Sequence, residues 1–231
     1  MNDNIEVSFF LPTRKGSSRV KDKNTRPFSD YKGGLFELKL SQLIKSKKIA
    51  DIIISSNDPI CLEIANDYVG KDNRIRIIER PDSLCLDSTN LSDLINYVPN
   101  ITDLEHILWG HTTTPMANEK IYDEAISTYH EQLRNGYDSL IGVHPFQNFL
   151  LDSSGNVFNN TTKIQWPRTQ DLEVLYEINH AVFLTSKNNY IQNGNRVGRS
   201  PFLFEMDKLH SIDVDWEDDF LIAEAIYEKF K

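Results

Sequence analysis

Residues 7–24 read Val7-Ser8-Phe9-Phe10-Leu11-Pro12-Thr13-Arg14-Lys15-Gly16-Ser17-Ser18-Arg19-Val20-Lys21-Asp22-Lys23-Asn24. The apolar run from Ile5 to Leu11 predicts a buried strand, and a basic loop follows it. Open α/β sheets build ligand sites at the carboxyl ends of such strands. Residues 14–26 contain six cations and one acid, a local charge of +5 in a chain whose net charge is −9. This contrast indicates that the loop binds a small anion.

The residue types in this loop suit an anionic ligand. Gly16 lets the backbone approach a ligand closely, Ser17 supplies a small hydroxyl group, and the planar guanidinium of an arginine matches a phosphate. The loop lacks both the P-loop spacing and the Gly-x-Gly-x-x-Gly pattern of dinucleotide sites. The alternative interpretation is an ordinary solvated basic surface.

The length and composition of the chain indicate one large α/β domain, and we predict a single domain over residues 1–231. The acidic balance argues against nucleic acid as a partner, and no apolar run is long enough to span a membrane. The polar start at residues 1–4 does not resemble a secretory signal. Cys61 and Cys85 lack metal-ligand spacing, which predicts free thiols in a reducing cytoplasm.

Strand and helix patterns alternate along the chain. Further strands are predicted at residues 51–56, 74–79, 106–109, 138–143 and 179–184. Helices are predicted after Gly34, from Pro59 with Asp58 as its cap, over residues 118–135, and at the end of the chain. This alternation predicts a mostly parallel sheet with helices on both faces.

One segment departs from this pattern. Between Phe146 and Trp166, aromatic and polar residues alternate around the turn-forming residues 152–156. We predict an antiparallel hairpin, inserted at about residues 145–170. A local lid or an extension of the sheet is the alternative.

A pair of carboxylates lies near the end of the chain, in Asp213-Val214-Asp215. On an extended segment, residues i and i+2 point to the same face, and two adjacent carboxylates repel each other unless a cation lies beside them. Oxygen ligands of this kind suit Mg²⁺. The alternative is that the acids cap the last helix, which suits Asp218 and Asp219 better than the pair.

The segment from Leu11 to Asn24 resembles the signature of the cytidylyltransferases that activate sialic acid and related acidic sugars. That signature reads roughly Pro-Ala-Arg-x-x-Ser-Lys-x-x-x-x-Lys-Asn, and Arg14, Lys23 and Asn24 fall on its Arg and Lys-Asn positions. Lys21 stands where a proline is common. In that family the loop wraps the triphosphate of CTP. The resemblance therefore implies a nucleotide-binding set of Pro12, Thr13, Arg14, Gly16, Ser17, Lys23, Asn24, Arg80 and Asp87.

Three weaker stretches resemble the same family. Residues 80–89 resemble Arg-Pro-x-x-Leu-x-x-Asp-Thr, with an ordinary loop capped by Asp87 or Ser88 as the alternative. Residues 110–116 resemble Gln-Pro-Thr-Ser-Pro-Leu, and residues 179–181 resemble Asn-Gly-Ala. The resemblance implies acceptor contacts from His111, Thr113 and Asn179. His111 stands where the family has Gln, and a loop histidine bonded to the backbone is the alternative.

Near the end of the chain, residues 212–219 resemble the family pattern Ile-Asp-x-Asp-x-x-x-Asp, whose first two acids hold the catalytic metal. The resemblance implies that Asp213 and Asp215 hold Mg²⁺, and that Arg14, Lys23 and Asp215 are catalytic. It also implies a Rossmann-like three-layer α/β/α nucleotidyltransferase fold, and a homodimer formed through the insertion.

The implied reaction is transfer of CMP from CTP to a sialic acid-like 2-keto acid sugar, with release of pyrophosphate. Two alternatives remain: a non-sialic acceptor such as a phosphate or phosphonate, and a non-catalytic nucleotide-sugar-binding homologue. The family pattern is altered at His111, Leu86 and Glu177–Ile178, where it has Gln, Ser and an Arg. We therefore expect N-acetylneuraminic acid to be a poor acceptor.

Overall fold

The computed structural model describes residues 5–231, so the expectation about a secretory signal at residues 1–4 lies outside the described residues. A single sheet forms the centre of the molecule. Its strands are β1 (Val7–Pro12), β2 (Ile49–Ser56), β3 (Ile75–Glu79), β4 (His106–Trp109), β5 (Ser139–Phe146), β6 (Leu175–Ser186) and β7 (Pro201–Glu205).

The strands lie in the order β3-β2-β1-β4-β6-β5-β7. Strand β6 pairs antiparallel with both of its neighbours, and the other pairings are parallel, which confirms the prediction of a mostly parallel sheet. Strand β1 lies between β2 and β4, because the chain runs to β2 and β3 on one side before it crosses to β4 on the other. Such a reversal of strand order opens a crevice at the carboxyl ends of the strands.

Helices cover both faces of the sheet, as predicted. They are α1 (Gly34–Leu43), α2 (Pro59–Val69), α3 (Leu91–Tyr97), α4 (Glu119–Arg134), α5 (Lys187–Asn193) and α6 (Glu217–Phe230). Side chains alternate along β1, so that Phe9 packs with α1, α2 and α4, whereas Phe10 packs with α3 and α5. The result is the three-layer α/β/α arrangement.

The predicted helix signals are confirmed. Asp58 caps α2 by accepting a hydrogen bond from the backbone N–H of Ile60 at 3.0 Å, and Asn118 caps α4 in the same way. Helix α3 begins after Asn90, so neither Asp87 nor Ser88 is its cap.

A third apolar cluster joins the two ends of the chain. In it, α6 packs against the loop after β1 and the start of α1, through Val20, Phe28, Leu35, Leu38, Val214, Phe220 and Ala223. Gly34 adopts a φ of +67°, and a Cβ at this position would overlap the carbonyl oxygen of Arg26. A glycine is therefore required where the loop turns into α1.

The predicted hairpin is smaller than expected. Residues 147–174 connect β5 to β6 with one isolated antiparallel bridge, between Leu151 and Val157, instead of two paired strands. The turn at Asp152 forms as predicted, since its carboxylate accepts hydrogen bonds from the backbone N–H groups of Ser154 and Asn156. Large apolar side chains nevertheless remain exposed here, namely Phe149, Leu151, Phe158, Ile164 and Trp166.

The helices of residues 5–231 do not meet the requirements of a membrane span. None of them is both long and apolar enough to cross a bilayer.

Candidate active site

A cavity of about 370 Å³ lies at the carboxyl ends of β1, β3 and β4, and is lined by the segments that follow these strands. Most of the predicted nucleotide-binding residues line it: Pro12, Thr13, Arg14, Ser17, Lys23, Asn24, Arg80 and Asp87. Gly16 lines a smaller neighbouring cavity instead, with a φ of +79°. The structure therefore brings together residues that lie far apart in the sequence. We call this space the first cavity.

An ion pair crosses the first cavity. The guanidinium of Arg14 lies 2.5 Å from Oδ1 of Asp87, and it also donates to the carbonyl oxygen of Cys85 at 3.3 Å. Because the side chain of Arg14 is 37% exposed, a phosphate can still approach it from solvent. An anionic ligand at Arg14 has to compete with the carboxylate of Asp87.

Two other predicted residues connect the loops around the first cavity. The buried guanidinium of Arg80 donates to the carbonyl oxygen of Thr13 and to the sulfur of Cys85. The side-chain oxygen of Asn24 accepts a hydrogen bond from the hydroxyl of Thr112 at 2.7 Å. Both side chains thus fix the relative positions of the loops after β1, β3 and β4.

A second cavity, of about 600 Å³, lies beside β6 and the segment before α6. Asp213 and Asp215 both line it, as their spacing on an extended segment predicted. Asn179 lines it as well, together with His180 and Lys208. We call this space the second cavity.

Cations of the basic loop join the two cavities. The guanidinium of Arg19 lies 2.6 Å from Oδ1 of Asp215, and the Nζ atom of Lys23 donates to the carbonyl oxygen of Val214 at 2.9 Å. The same Nζ atom lies 3.9 Å from Oδ1 of Asp215. Burial lowers the pKa of Lys23, while the carboxylates of Asp215 and Asp213 oppose this shift.

The fit of the carboxylate pair to Mg²⁺ depends on which of its oxygen atoms are already bonded. Oδ2 of Asp213 accepts a hydrogen bond from Nδ1 of His180 at 2.5 Å, whereas its Oδ1 is buried and has no hydrogen-bond partner in residues 5–231. Burial raises the pKa of Asp213, but the neighbouring side chains of His180, Thr113 and His111 together outweigh burial and hold this pKa below its ordinary value. Asp213 therefore offers an ionised carboxylate with one free oxygen.

The number of protein ligands also fits Mg²⁺. Within the described part of the chain, no group of three or more His, Cys, Asp or Glu side chains is close enough to hold a metal ion. Mg²⁺ usually takes only one or two carboxylates, and completes its shell with waters and substrate phosphates. Asp213 and Asp215 are such a pair. Asp219, by contrast, caps α6 by accepting from the backbone N–H groups of Asp215 and Trp216, as its alternative interpretation predicted.

His111 is a loop histidine bonded to the backbone, which was the alternative interpretation of this residue. Its Nδ1 lies 2.8 Å from the carbonyl oxygen of His180, and its Nε2 accepts from the indole N–H of Trp109 at 3.2 Å. These partners assign the proton to Nδ1 and leave neither nitrogen free. Burial, with the nearby Arg196, lowers the pKa of His111 to about 3. The ring lines the first cavity and not the second.

The residues predicted to bind the acceptor do not form one group. Thr113 lies with His111 at the first cavity, and Asn179 lies at the second. Asn179 is 3% exposed, and its side-chain oxygen accepts from the backbone N–H of Ala181 at 2.6 Å. Its Nδ2 is buried without a partner in the described chain. Leu86, which was expected to affect the acceptor, lines the first cavity and not the second.

Two residues of the site were not predicted. Arg19 was counted among the cations of the loop, but its contact with Asp215 and its position 5.2 Å from the ring centre of Trp216 were not foreseen. His180 was not singled out from the sequence, although it stands where the Asn-Gly-Ala pattern has glycine. The sequence did contain a signal for this residue, because a histidine replaces a glycine within a motif that the family uses at its ligand site.

The chain is similar in sequence and in fold to known proteins. The sequence matches the family model described as Cytidylyltransferase over residues 9–213. The chain is similar to the N-acylneuraminate cytidylyltransferase of Escherichia coli O18:K1:H7 (strain RS218 / NMEC), with 26% identity over 231 residues, 97% of this chain and 52% of that protein. It is 25% identical over 216 residues to the N-acylneuraminate cytidylyltransferase of Streptococcus agalactiae serotype V (strain ATCC BAA-611 / 2603 V/R), covering 91% of this chain and 51% of that protein.

The chain thus spans about half of the length of these two relatives. Among solved structures, CMP:2-keto-3-deoxy-manno-octonic acid synthetase complexed with CTP has a TM-score of 0.68, with 97% of this chain and 99% of that chain covered. Its sequence identity of 12% makes this a likeness of fold alone. The family match covers most of the chain and includes all the residues that line the first cavity, but it ends at Asp213, within the segment that lines the second. The chain belongs to the cytidylyltransferase family.

Proposed function

We propose that this protein transfers CMP from CTP to an acidic sugar of the sialic acid-like 2-keto acid type, and releases pyrophosphate. The observation that carries the proposal is the junction of the two cavities, where Arg19 and Lys23 of the basic loop meet Asp215 of the carboxylate pair. A nucleotide in the first cavity would place its phosphates at this junction, next to an acceptor in the second. The names of the similar proteins support the same chemistry.

In the proposed reaction, a hydroxyl oxygen of the acceptor attacks the α-phosphorus of CTP. A new P–O bond forms, the bond from the α-phosphorus to the bridging oxygen of the β-phosphate breaks, and the hydroxyl proton passes to solvent. Arg14 and Lys23 neutralise the charge that builds up on the departing pyrophosphate. Catalysis of this kind depends mainly on positioning and on stabilisation of charge.

Magnesium is proposed as the cofactor. Asp213 and Asp215 would hold the ion, and when bound it supplies positive charge that polarises a phosphoryl oxygen. The unpartnered Oδ1 of Asp213 supports this assignment, because a buried carboxylate oxygen is rarely left without a ligand.

The acceptor is proposed to bind in the second cavity, with a free amide donor at Nδ2 of Asn179. Among residues 5–231, Lys208 is the only lysine or arginine that lines this cavity. Glu177 lines it too, near the position where the resembling family has an arginine. A site with an acid where the family has an arginine should bind the carboxylate of N-acetylneuraminic acid less well in the orientation that the arginine would set, so that an acceptor carboxylate has to bind in a different orientation. An acidic sugar with different substituents is the better candidate.

An acceptor panel tests this proposal. Pyrophosphate release is measured with CTP, Mg²⁺ and each of several acceptors: N-acetylneuraminic acid, other 2-keto acid sugars, a sugar phosphate and a phosphonate. We expect release with one of the other 2-keto acid sugars and little with N-acetylneuraminic acid. Efficient turnover of N-acetylneuraminic acid would show that the interpretation of the altered motif residues is wrong. If only the sugar phosphate or the phosphonate is turned over, the acceptor is not a 2-keto acid sugar.

We also propose that the protein is a homodimer and acts in the cytoplasm. The exposed apolar side chains between β5 and β6 form a surface that a second copy of the chain would cover. Both cysteines are free and buried, which is compatible with a reducing compartment.

A further inference from the structure

We propose that His180 is a positioning residue of the cation site: its imidazole holds Oδ2 of Asp213, and thereby leaves Oδ1 as the oxygen that binds a divalent cation. This inference rests on the proposed function, because it assumes that Asp213 binds the ion. It concerns position 180, where this chain has a histidine and the family motif Asn-Gly-Ala has a glycine.

The contact between the two side chains is short and directional. Nδ1 of His180 lies 2.5 Å from Oδ2 of Asp213, so this nitrogen carries the proton and donates it to the carboxylate oxygen. Hydrogen bonds to a charged acceptor are short and strong, and they fix the orientation of both partners. With Oδ2 fixed, the second oxygen of Asp213 has a defined direction.

The imidazole of His180 is itself held in place. It stacks on the ring of Phe183, with 6.2 Å between ring centres and an angle of 29° between the planes. The backbone carbonyl of His180 accepts from Nδ1 of His111, whose other nitrogen is bonded to Trp109. This series of contacts connects Asp213, through His180 and His111, to β6 and to Trp109 of β4.

Oδ1 of Asp213 has the properties of a ligand atom. It is buried and has no hydrogen-bond partner in residues 5–231, and its residue lines the second cavity together with His180 and Asp215. An outer-shell partner that orients a ligating side chain commonly changes metal affinity by about 10- to 100-fold. A glycine at position 180 has no side chain that could play this part.

The test measures cation binding instead of turnover. Mn²⁺ replaces Mg²⁺, and its binding to the purified full-length protein in the presence of CTP is followed by electron paramagnetic resonance. We expect His180→Ala to weaken Mn²⁺ binding by about 10- to 100-fold. His180→Asn should retain an affinity close to that of the unmodified protein, because the amide nitrogen of asparagine can donate from nearly the same place as Nδ1. Circular dichroism checks that each variant is folded.

Combination with Asp213→Asn separates positioning from a general structural effect. If His180 acts through Asp213, His180→Ala causes no further loss of Mn²⁺ affinity in the Asp213→Asn background. A folded His180→Ala protein that binds Mn²⁺ as tightly as the unmodified protein overturns the inference. The inference is also overturned if His180→Ala lowers Mn²⁺ affinity in the Asp213→Asn background by the same factor as it does alone. Failure of the unmodified protein to bind Mn²⁺ with CTP instead overturns the proposed cation site itself.

Discussion

The guanidinium of Arg19 lies 2.6 Å from Oδ1 of Asp215, although 196 positions separate the two residues in the chain. The contact forms because α6 packs on the loop after β1, which brings the segment before α6 against the basic residues. Side chains of both partners are less than half exposed. One site therefore combines a cationic loop suited to phosphates with a carboxylate pair suited to a divalent cation.

The first prediction concerns the nucleotide. Arg14→Ala should weaken CTP binding by about 10- to 100-fold, because a charged hydrogen bond contributes about 1.5–3 kcal/mol. Lys15→Ala is the matched control: Lys15 is an adjacent, exposed cation that does not line the first cavity. We expect it to have a much smaller effect. Titration calorimetry measures both, with ATP, GTP and UTP for comparison. Equal losses in the two variants, or a preference for another nucleotide, would contradict the assignment of the first cavity.

The second prediction concerns the carboxylate pair. Asp215→Asn should fold normally and lose turnover by several orders of magnitude, because it removes one charge from a site that depends on charge. Asp218→Asn makes the same chemical change at an exposed position three residues later that lines neither cavity. It should keep near-normal turnover. Steady-state pyrophosphate release compares the two, and similar activities in both folded variants would show that Asp215 is not required.

The third prediction concerns assembly. Light scattering at micromolar concentration should give the mass of two chains. Trp166→Glu should shift this mass toward a single chain, because it places a charge on the apolar surface between β5 and β6. Ile191→Glu is the control, since Ile191 is 62% exposed and Trp166 is 67% exposed, but Ile191 lies on α5. A monomeric unmodified protein, or dissociation by both variants alike, would exclude this surface as the interface.

Much of the fold is predictable from local patterns. The strand β4 was predicted with the bounds that the structure has, and Asp58 caps α2 as expected. The helix predicted over residues 118–135 forms as α4, one residue shorter at each end. Strand bounds and helix caps depend mainly on residues that are adjacent in the sequence, so local sequence patterns can predict them. The hairpin was overestimated, because alternation of aromatic and polar residues does not require a partner strand, and Asn159 holds much of this segment through side-chain bonds to backbone carbonyls instead.

The site was less predictable than the fold, because its contacts join distant parts of the chain. The motif residues of the first cavity follow from the position of each loop at the end of a strand. Nothing in the local sequence indicates that His180 bonds Asp213, or that both nitrogens of His111 are already bonded within the protein. Those facts depend on how β4, β6 and the segment before α6 pack together.

The most direct test of the central claim is to follow the phosphorus atoms of CTP by ³¹P nuclear magnetic resonance, with Mg²⁺ and an acidic sugar acceptor present. We expect CTP to be converted into equal amounts of pyrophosphate and a CMP–sugar phosphodiester, and only when the acceptor is added. Asp215→Asn protein should leave the CTP signals unchanged over the same time. If the unmodified, folded protein binds CTP but leaves it intact with every acceptor of the panel, or converts it into CDP and free phosphate, the proposed transfer of CMP is wrong.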